Sequence, residues 1–549
     1  MVHIEVRANY DPTRDEHDRE HIILVPSDWN DWWKFKNLYA AWYRPRSADS
    51  MKIVELGPVK IEDPTNDGQD NPTHPLPVGY SADKVDDNLI SLGQTDEYYQ
   101  MLSELPEFER NTVCTAMRDA VADSTLLQAN ADKNAVRSSL LRNMSLSTVQ
   151  GEYRRILRHE GDANYFRLKY CKDSFETEFI VDPKLKPRTN LHVVIGRNGV
   201  GKTTLLRSIT RLLATGDESD PDESLSVLDE DGNSEGILSG VSYVSWSAFD
   251  SLDVQDWNLS EGIFYSQIGV NGIRHSTPEG KLVVPEVVEF GPTVSEDHHQ
   301  DSSVADETPT GSFVRAFSLV IERRRGQLWR ETTQALESDP VFRELNILKQ
   351  LNDILDPPRT PTGEPGQRGI DRSTVEKAFD SLSDGHKVVL LTITYIAATL
   401  AEQTLVVLDE PEAHLHPPLL ASLIRCLNDL LVKKNAMAIV ATHSPVVLQE
   451  VPKTNAKKLS RNSKGLQTSL PEIETFGEDV SSLTQDVFGL EVSDSGFYSV
   501  LRDLASDFDD PQDAINELDR HIGVLGRSVL RSLIAAKHRK TAESDQGLI

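Results

Sequence analysis

The segment Gly196-Arg197-Asn198-Gly199-Val200-Gly201-Lys202-Thr203-Thr204 is the stretch best built to hold phosphate. Glycines let successive backbone N–H groups curl round an anion without side-chain obstruction, and a helix starting at the lysine aims its positive end at the same place. The Lys202 ammonium supplies charge to the β- and γ-phosphates of a nucleotide, and the Thr203 hydroxyl supplies a ligand for Mg²⁺. The context is the one the motif requires. "LHVVI" (191–195) reads as a buried parallel strand, and Leu205, Ile209, Leu212 and Leu213 give the next helix one apolar face.

Two further apolar runs deliver polar residues where a nucleotide could meet them. "TLVVL" ends on Asp409 and Glu410, placing two carboxylates at the carboxyl end of a strand, where ligands sit in open α/β sheets. One can hold the magnesium-bound water and the next can orient the attacking water. "AMAIVAT" ends on His443, within reach of a γ-phosphate if the three strands are neighbours. A fourth peptide, "LSDGHK" (382–387), precedes a long apolar stretch and has two readings. Ser383 and Asp384 suit a helix N-cap, while the free N–H groups of that first turn, with Gly385, also suit a phosphate.

These peptides need a large scaffold, and 549 residues with 38% hydrophobic and 26% charged content provide one with more than one domain. We expect an α+β domain over 1–155, an α/β head over 156–460 with a helical insert at about 250–370, and a helical extension over 461–549. In the first, Trp29, Trp32 and Trp33 share helical spacing and read as core, as does Trp42. The acidic stretch 216–236 lacks the Gly and Glu positions of a calcium loop after Asp229 and reads as an exposed hairpin or loop. The net charge of −30 argues against a general nucleic-acid coat. Basic clusters at 322–330, 453–464 and 537–540 read as solvated faces or tails. Cys114, Cys171 and Cys426 have no metal-ligand spacing, and His414 with His416 lacks a third ligand spaced nearby, so zinc is not expected. With no signal pattern and no membrane-length apolar run, a cytoplasmic protein is expected.

The order of phosphate loop, LS-x-G peptide, acidic strand and strand ending in His resembles an ABC-class ATPase head over about residues 160–460. "DEPEAHLHP" and "THSP" resemble the OLD, SMC-like (AAA_21-type) branch, and the ATPase subunit of Septu-type antiphage systems is the nearest specific analogy. The resemblance implies a P-loop NTPase fold with a mixed sheet and a helical lobe. It implies ATP and Mg²⁺ bound through Gly196 to Thr204, with Thr203 and Asp409 on the metal, Glu410 as catalytic carboxylate and His443 contacting the γ-phosphate. It also implies a head-to-tail homodimer, or a higher oligomer, in which Ser383, Asp384, Gly385 and Lys387 complete the site in trans and Glu412 to His416 cross the interface.

Two departures stand out. The family's Gln after an intervening strand is missing from "VSYVSWSAFD" (241–250), leaving Ser247, Gln255 or Gln267 as substitutes, and Asp384 replaces a Gly found in transporters. Asp507-Phe508-Asp509 matches only the letters of a Toprim metal site and reads as an inter-helix loop, so a separate nuclease or toxin is the expected partner, with nucleic acid or a phage protein as a trigger. An SMC-like DNA-repair or chromosome ATPase and a transporter energiser are the rival readings.

Overall fold

The computed structural model describes residues 2–546 except 13–19, 28–33, 46–52, 142–147, 159–164, 286–307, 356–371 and the shorter gaps 218–219, 237, 248–251, 253, 255–256, 261–262, 278–279, 324, 464, 495 and 519–520. Trp29, Trp32, Trp33 and Gln255 lie outside the described residues. The chain divides into two compact units, Met1–His192 with Thr203–Ala441 and Val193–Lys202 with Thr442–Ile549.

The first unit opens with a six-stranded sheet in the order Ser81–Ala82, His3–Val6, His21–Pro26, Leu38–Arg44, Val54–Glu62, Ile90–Gly93. Among the described residues of this sheet, His3–Val6 with His21–Pro26 is the parallel pair and the other pairs are antiparallel. Helices Asp96–Ser103 and Glu107–Met117 cover it, and Tyr98, Tyr99, Leu102, Val113 and Met117 share a core with Ile22, Leu24 and Tyr39. Thr95 caps the first helix by accepting from Tyr98 N–H. Two ion pairs tie this part to the rest of its unit. Arg155 meets Glu402 at 3.0 Å, and Lys434 meets Asp96 at 2.8 Å.

A four-stranded antiparallel sheet follows, in the order Ser234–Gly236, Glu223–Leu228, Phe166–Lys172, Phe175–Val181. The acidic stretch thus supplies a hairpin. Its Glu223 is buried and held by Tyr170 Oη at 2.6 Å, Arg211 at 2.6 Å and Lys172 at 3.2 Å.

The unit's main sheet runs in the order Leu282–Val283, Gly272–Ser276, Phe264–Gly269, Gly240–Ser245, Thr404–Asp409, Met437–Thr442. Phe264–Gly269, Gly240–Ser245, Thr404–Asp409 and Met437–Thr442 are parallel, so their carboxyl ends share one edge. Every residue of Gly240–Ser245, Thr404–Asp409 and Met437–Thr442 is buried, which is why these segments read as continuous apolar runs. In the second unit, Val193–Ile195 pair in parallel with Ala456–Lys458, and Ala456–Asn462 pairs antiparallel with Gly465–Ser469. Helices Val480–Asp494, Phe497–Asp507, Pro511–Glu517 and Val524–Gln546 complete it.

The stretch expected to be a helical insert begins instead with strands, Phe264–Gly269, Gly272–Ser276 and Leu282–Val283. The first two form a hairpin in which Gly272, at φ +82°, takes the left-handed backbone of the turn. Helices follow at Pro309–Glu322, Gly326–Thr333, Pro340–Glu344, Ile347–Leu355 and Arg372–Asp380. Pro309–Glu322 and Gly326–Thr333 pack against the helix Asp384–Thr399, which is buried continuously from Val388. Its interior hydroxyls are matched by indoles, with Trp246 Nε1 donating to Thr392 Oγ1 at 3.0 Å and Trp329 Nε1 to Thr394 Oγ1 at 2.9 Å. A buried hydroxyl without such a partner would cost about 1–3 kcal/mol.

The basic cluster at 322–330 is not simply a solvated face. Arg323 donates to the Ala398 carbonyl at 3.3 Å and Arg325 to those of Ala397 (3.2 Å) and Leu400, so both guanidinium groups satisfy carbonyls at the end of this central helix. The described residues form an α/β architecture with mixed sheets, a helical lobe and an additional N-terminal α+β part.

Candidate nucleotide-binding site

Gly199 and Gly201 adopt φ of +74° and +113°, a backbone region that side-chain-bearing residues avoid. Gly196 is needed for another reason. A Cβ there would lie 2.5 Å from the Leu459 carbonyl oxygen. Arg197, Asn198 and Gly199 are exposed and Val200 is buried, which anchors the loop while leaving its tip open. Lys202 is buried and folds back, donating to the carbonyls of Gly196 at 2.9 Å and Arg197 at 3.2 Å.

The helix Lys202–Thr215 begins directly at the end of this loop. Thr203 Oγ1 donates to Asp409 Oδ1 at 3.1 Å, across 206 residues of sequence. Tyr243 Oη donates to the other carboxylate oxygen at 3.3 Å, and Asp409 is buried. A hydroxyl and a carboxylate so placed are hard oxygen donors of the kind Mg²⁺ takes. The register partner of Asp409 is Ser245, whose buried hydroxyl has no hydrogen-bond partner among the described residues. The residues therefore fit a phosphate-bound Mg²⁺.

Glu410 follows at once, half-buried, with φ +49° and its N–H donating to the Ala441 carbonyl at 2.9 Å. That left-handed turn ends the strand and costs roughly 1–2 kcal/mol, a level of strain that recurs at functional positions. His443 is exposed, one residue beyond Met437–Thr442. Thr204 is exposed on the first turn of its helix.

The peptide 382–387 departs from the capping expectation. Ser383 occupies the N-cap position of Asp384–Thr399, yet its side chain makes no capping bond. The hydroxyl is engaged instead with His386 Nδ1 at 2.6 Å, and His386 Nε2 faces Asp339 Oδ1 at 3.1 Å. Gly385 has a steric role, since a Cβ there would meet the His414 carbonyl at 2.9 Å. The first turn therefore lies directly on the 410–416 loop. Asp384 is exposed, and Lys387 lies 3.9 Å from Asp380 and 5.9 Å from the Phe379 ring centroid. Ser247 and Gln267, two of the substitutes for the missing Gln, line one cavity with Ser245, Asn271 and Arg274.

Sequence reasoning singled out neither Tyr243, Ser245, Asp339 nor His386. Tyr243 has no signal beyond lying in a strand, whereas His386 stands inside the quoted peptide. Asp507 ends the helix Phe497–Asp507 and Phe508-Asp509 lie before Pro511–Glu517, with Asp509 paired to Lys537 at 2.8 Å.

Residues 312–449 match the family model described as "AAA domain, putative AbiEii toxin, Type IV TA system". That span contains Ser383 to Lys387, Asp409, Glu410 and His443, and it begins after the phosphate loop. The chain is 28% identical over 532 residues to Protein ea59 of Escherichia phage lambda, covering 94% of this chain and 95% of that protein. Among solved structures it is similar to a putative metal-chelate type ABC transporter in an inward-facing conformation, at 14% identity and TM-score 0.26, over 59% of this chain and 89% of that one. It is also similar to the SMC head domain from Thermotoga maritima, at 12% identity and TM-score 0.24, over 56% of this chain and 100% of that one.

Proposed function

We propose that the chain is an ATPase of the ABC and SMC-like class that works as an ATP-driven dimerisation switch controlling a separate nuclease or toxin in bacterial antiviral defence. The observation that carries the chemistry is the 3.1 Å contact of Thr203 with Asp409. It brings the helix after the phosphate loop and the end of the acidic strand to one point.

In this reading the loop Gly196 to Thr204 wraps the phosphates with backbone N–H groups, and Lys202 leaves its loop carbonyls for the β- and γ-phosphates. Thr203 and Asp409 would hold Mg²⁺, which supplies positive charge to the β- and γ-phosphate oxygens. Glu410 orients the attacking water and accepts its proton, aimed by the left-handed backbone at that residue. His443 contacts the γ-phosphate. ATP is cleaved to ADP and phosphate.

Ser383, Asp384, Gly385 and Lys387 of one protomer complete the site of a second, and Glu412 to His416 lie along the join. A helix terminus stabilises an anion by only about 0.3–1 kcal/mol when exposed, so this peptide makes sense as half of a site. The toxin named in the matching family description and the phage origin of the lambda relative support the effector role. The placement of Asp507 at a helix end and Asp509 before the next helix, rather than after a strand, supports a separate nuclease over one within this chain. Among the described residues no helix is long and apolar enough to cross a membrane.

Glu410→Gln should bind ATP and accumulate as a dimer by light scattering, with hydrolysis reduced at least about a hundredfold. Hydrolysis at the parental rate would remove Glu410 from the mechanism. Hydrolysis that rises with DNA and falls steeply with salt would favour an enzyme acting on DNA directly.

A further inference from the structure

The geometry points to a second metal site, for a zinc-class divalent ion, formed by Asp339, His386 and His416. Each residue presents one ligand atom, and the three atoms lie within 4.8 Å of one another. They come from three separate places in the chain. Asp339 is the N-cap of Pro340–Glu344, His386 stands in the first turn of Asp384–Thr399, and His416 is the N-cap of Pro417–Lys433. The sequence argument against zinc rested on His414 and His416 lacking a nearby third ligand. The fold supplies two, from 30 and 77 residues upstream of His416.

The donor set suits such an ion and not Mg²⁺, which prefers oxygens and keeps several waters. A tetrahedral zinc with bonds of about 2.0–2.2 Å has ligand-to-ligand edges of roughly 3.3–3.6 Å. His386 Nε2 and Asp339 Oδ1 are already 3.1 Å apart, so that edge is nearly formed. The His386 and His416 ring centroids are 6.1 Å apart, and exposed His416 has room to turn toward the third corner.

The surroundings resemble the outer shell of a metal site. Ser383 Oγ lies 2.6 Å from His386 Nδ1, fixing the ring and directing Nε2 inward. Asp339 Oδ1 also accepts from Val341 N–H at 2.8 Å, which orients the carboxylate. His416 Nδ1 accepts from Leu419 N–H at a long 3.4 Å, a weak capping bond that metal binding can replace. Asp339 and His386 are each buried and His416 is exposed, which gives a half-enclosed site with three protein ligands and an open fourth position. Ion binding would tie the turn carrying Ser383 to the helical lobe and to the start of Pro417–Lys433. The site's existence does not depend on the switch proposed above.

The test uses the full-length protein stripped with chelator and free of nucleotide. Zinc titration by calorimetry, against a competing chelator, should show one tight equivalent, and Co²⁺ should give the intense visible absorption of a tetrahedral complex. His416→Ala, at an exposed position, and Asp339→Asn, which retains a capping side chain, should each lose the cobalt spectrum and weaken zinc binding at least about a hundredfold. His414→Ala should bind zinc as the parent does. Absence of a tetrahedral cobalt spectrum in the parent would leave only a hydrogen-bonded Asp–His pair and overturn the site. So would parental affinity in both His416→Ala and Asp339→Asn.

Discussion

Replacing Asp96 by Asn tests how firmly the N-terminal sheet and helices are fixed to the rest of their unit. Lys434 Nζ donates to Asp96 Oδ2 at 2.8 Å, and the lysine side chain is only 5% exposed against 28% for the aspartate. Breaking a fully buried pair costs about 3–5 kcal/mol, because the remaining charge stays desolvated. The residual exposure of Asp96 lets water recover part of that, so about 2–3 kcal/mol is expected. By the tenfold-per-1.4 kcal/mol rule, amides whose exchange depends on opening this contact should exchange about 30- to 150-fold faster. Hydrogen-exchange mass spectrometry on peptides spanning Asp96–Ser103 and Pro417–Lys433 reads this directly. Combining Asp96→Asn with Lys434→Met removes both charges and should return exchange to within about 1 kcal/mol of the parent. Burial raises the Asp96 carboxyl, but the Lys434 ammonium and then the Arg325 guanidinium outweigh it and hold the group below its ordinary value. The contribution is therefore complete above the unfolded aspartate value of about 3.9 and disappears as pH falls through the lower folded one. The gap between parent and Asp96→Asn should close over the same acid range. Parental exchange in the single variant, or a double variant no better than the single, would refute the reasoning.

Lys202→Ala should weaken ATP binding at least about tenfold by calorimetry, and unchanged affinity would count against the loop as the phosphate site. Ser383→Arg should abolish hydrolysis while the monomer still binds ATP, and continued hydrolysis would reduce the peptide to a helix start. Gly385→Ala sets a helix-propensity gain of about 1 kcal/mol against about 1–3 kcal/mol of overpacking. Because the added carbon meets a backbone carbonyl at 2.9 Å, a net loss of about 1 kcal/mol is expected, and a variant whose melting temperature equals or exceeds the parent's would contradict it.

What could be read in advance follows from where the chemistry sits along the chain. The phosphate loop and the Asp409-Glu410 pair need consecutive residues after an apolar run, so their letters carry the signal locally, and the α/β class follows from the same runs. The contact of Thr203 with Asp409 spans 206 residues, yet the motif order anticipated it. Asp339, His386 and His416 share no local pattern, because their meeting depends on three helix starts converging. Arg323 and Arg325 looked like an ordinary charged run, and nothing local shows that the carbonyls they meet belong to a helix more than seventy residues later. The strands at 264–283 were hidden by their polar alternation, although the Asn271-Gly272 pair was a legible turn signal. Residue type suits Ser383 to a capping bond, and the imidazole three residues on takes its hydroxyl instead.

The two indoles hydrogen-bonded to Thr392 and Thr394 have a practical consequence. A slip of the central helix by one residue, about 1.5 Å along its axis, would break both bonds together. Indole emission shifts with the polarity and hydrogen bonding of its surroundings, so Trp246 and Trp329 form an optical gauge clamped to the helix that begins at Ser383. Movement of that helix would alter the emission of those two of the chain's seven tryptophans, without a label.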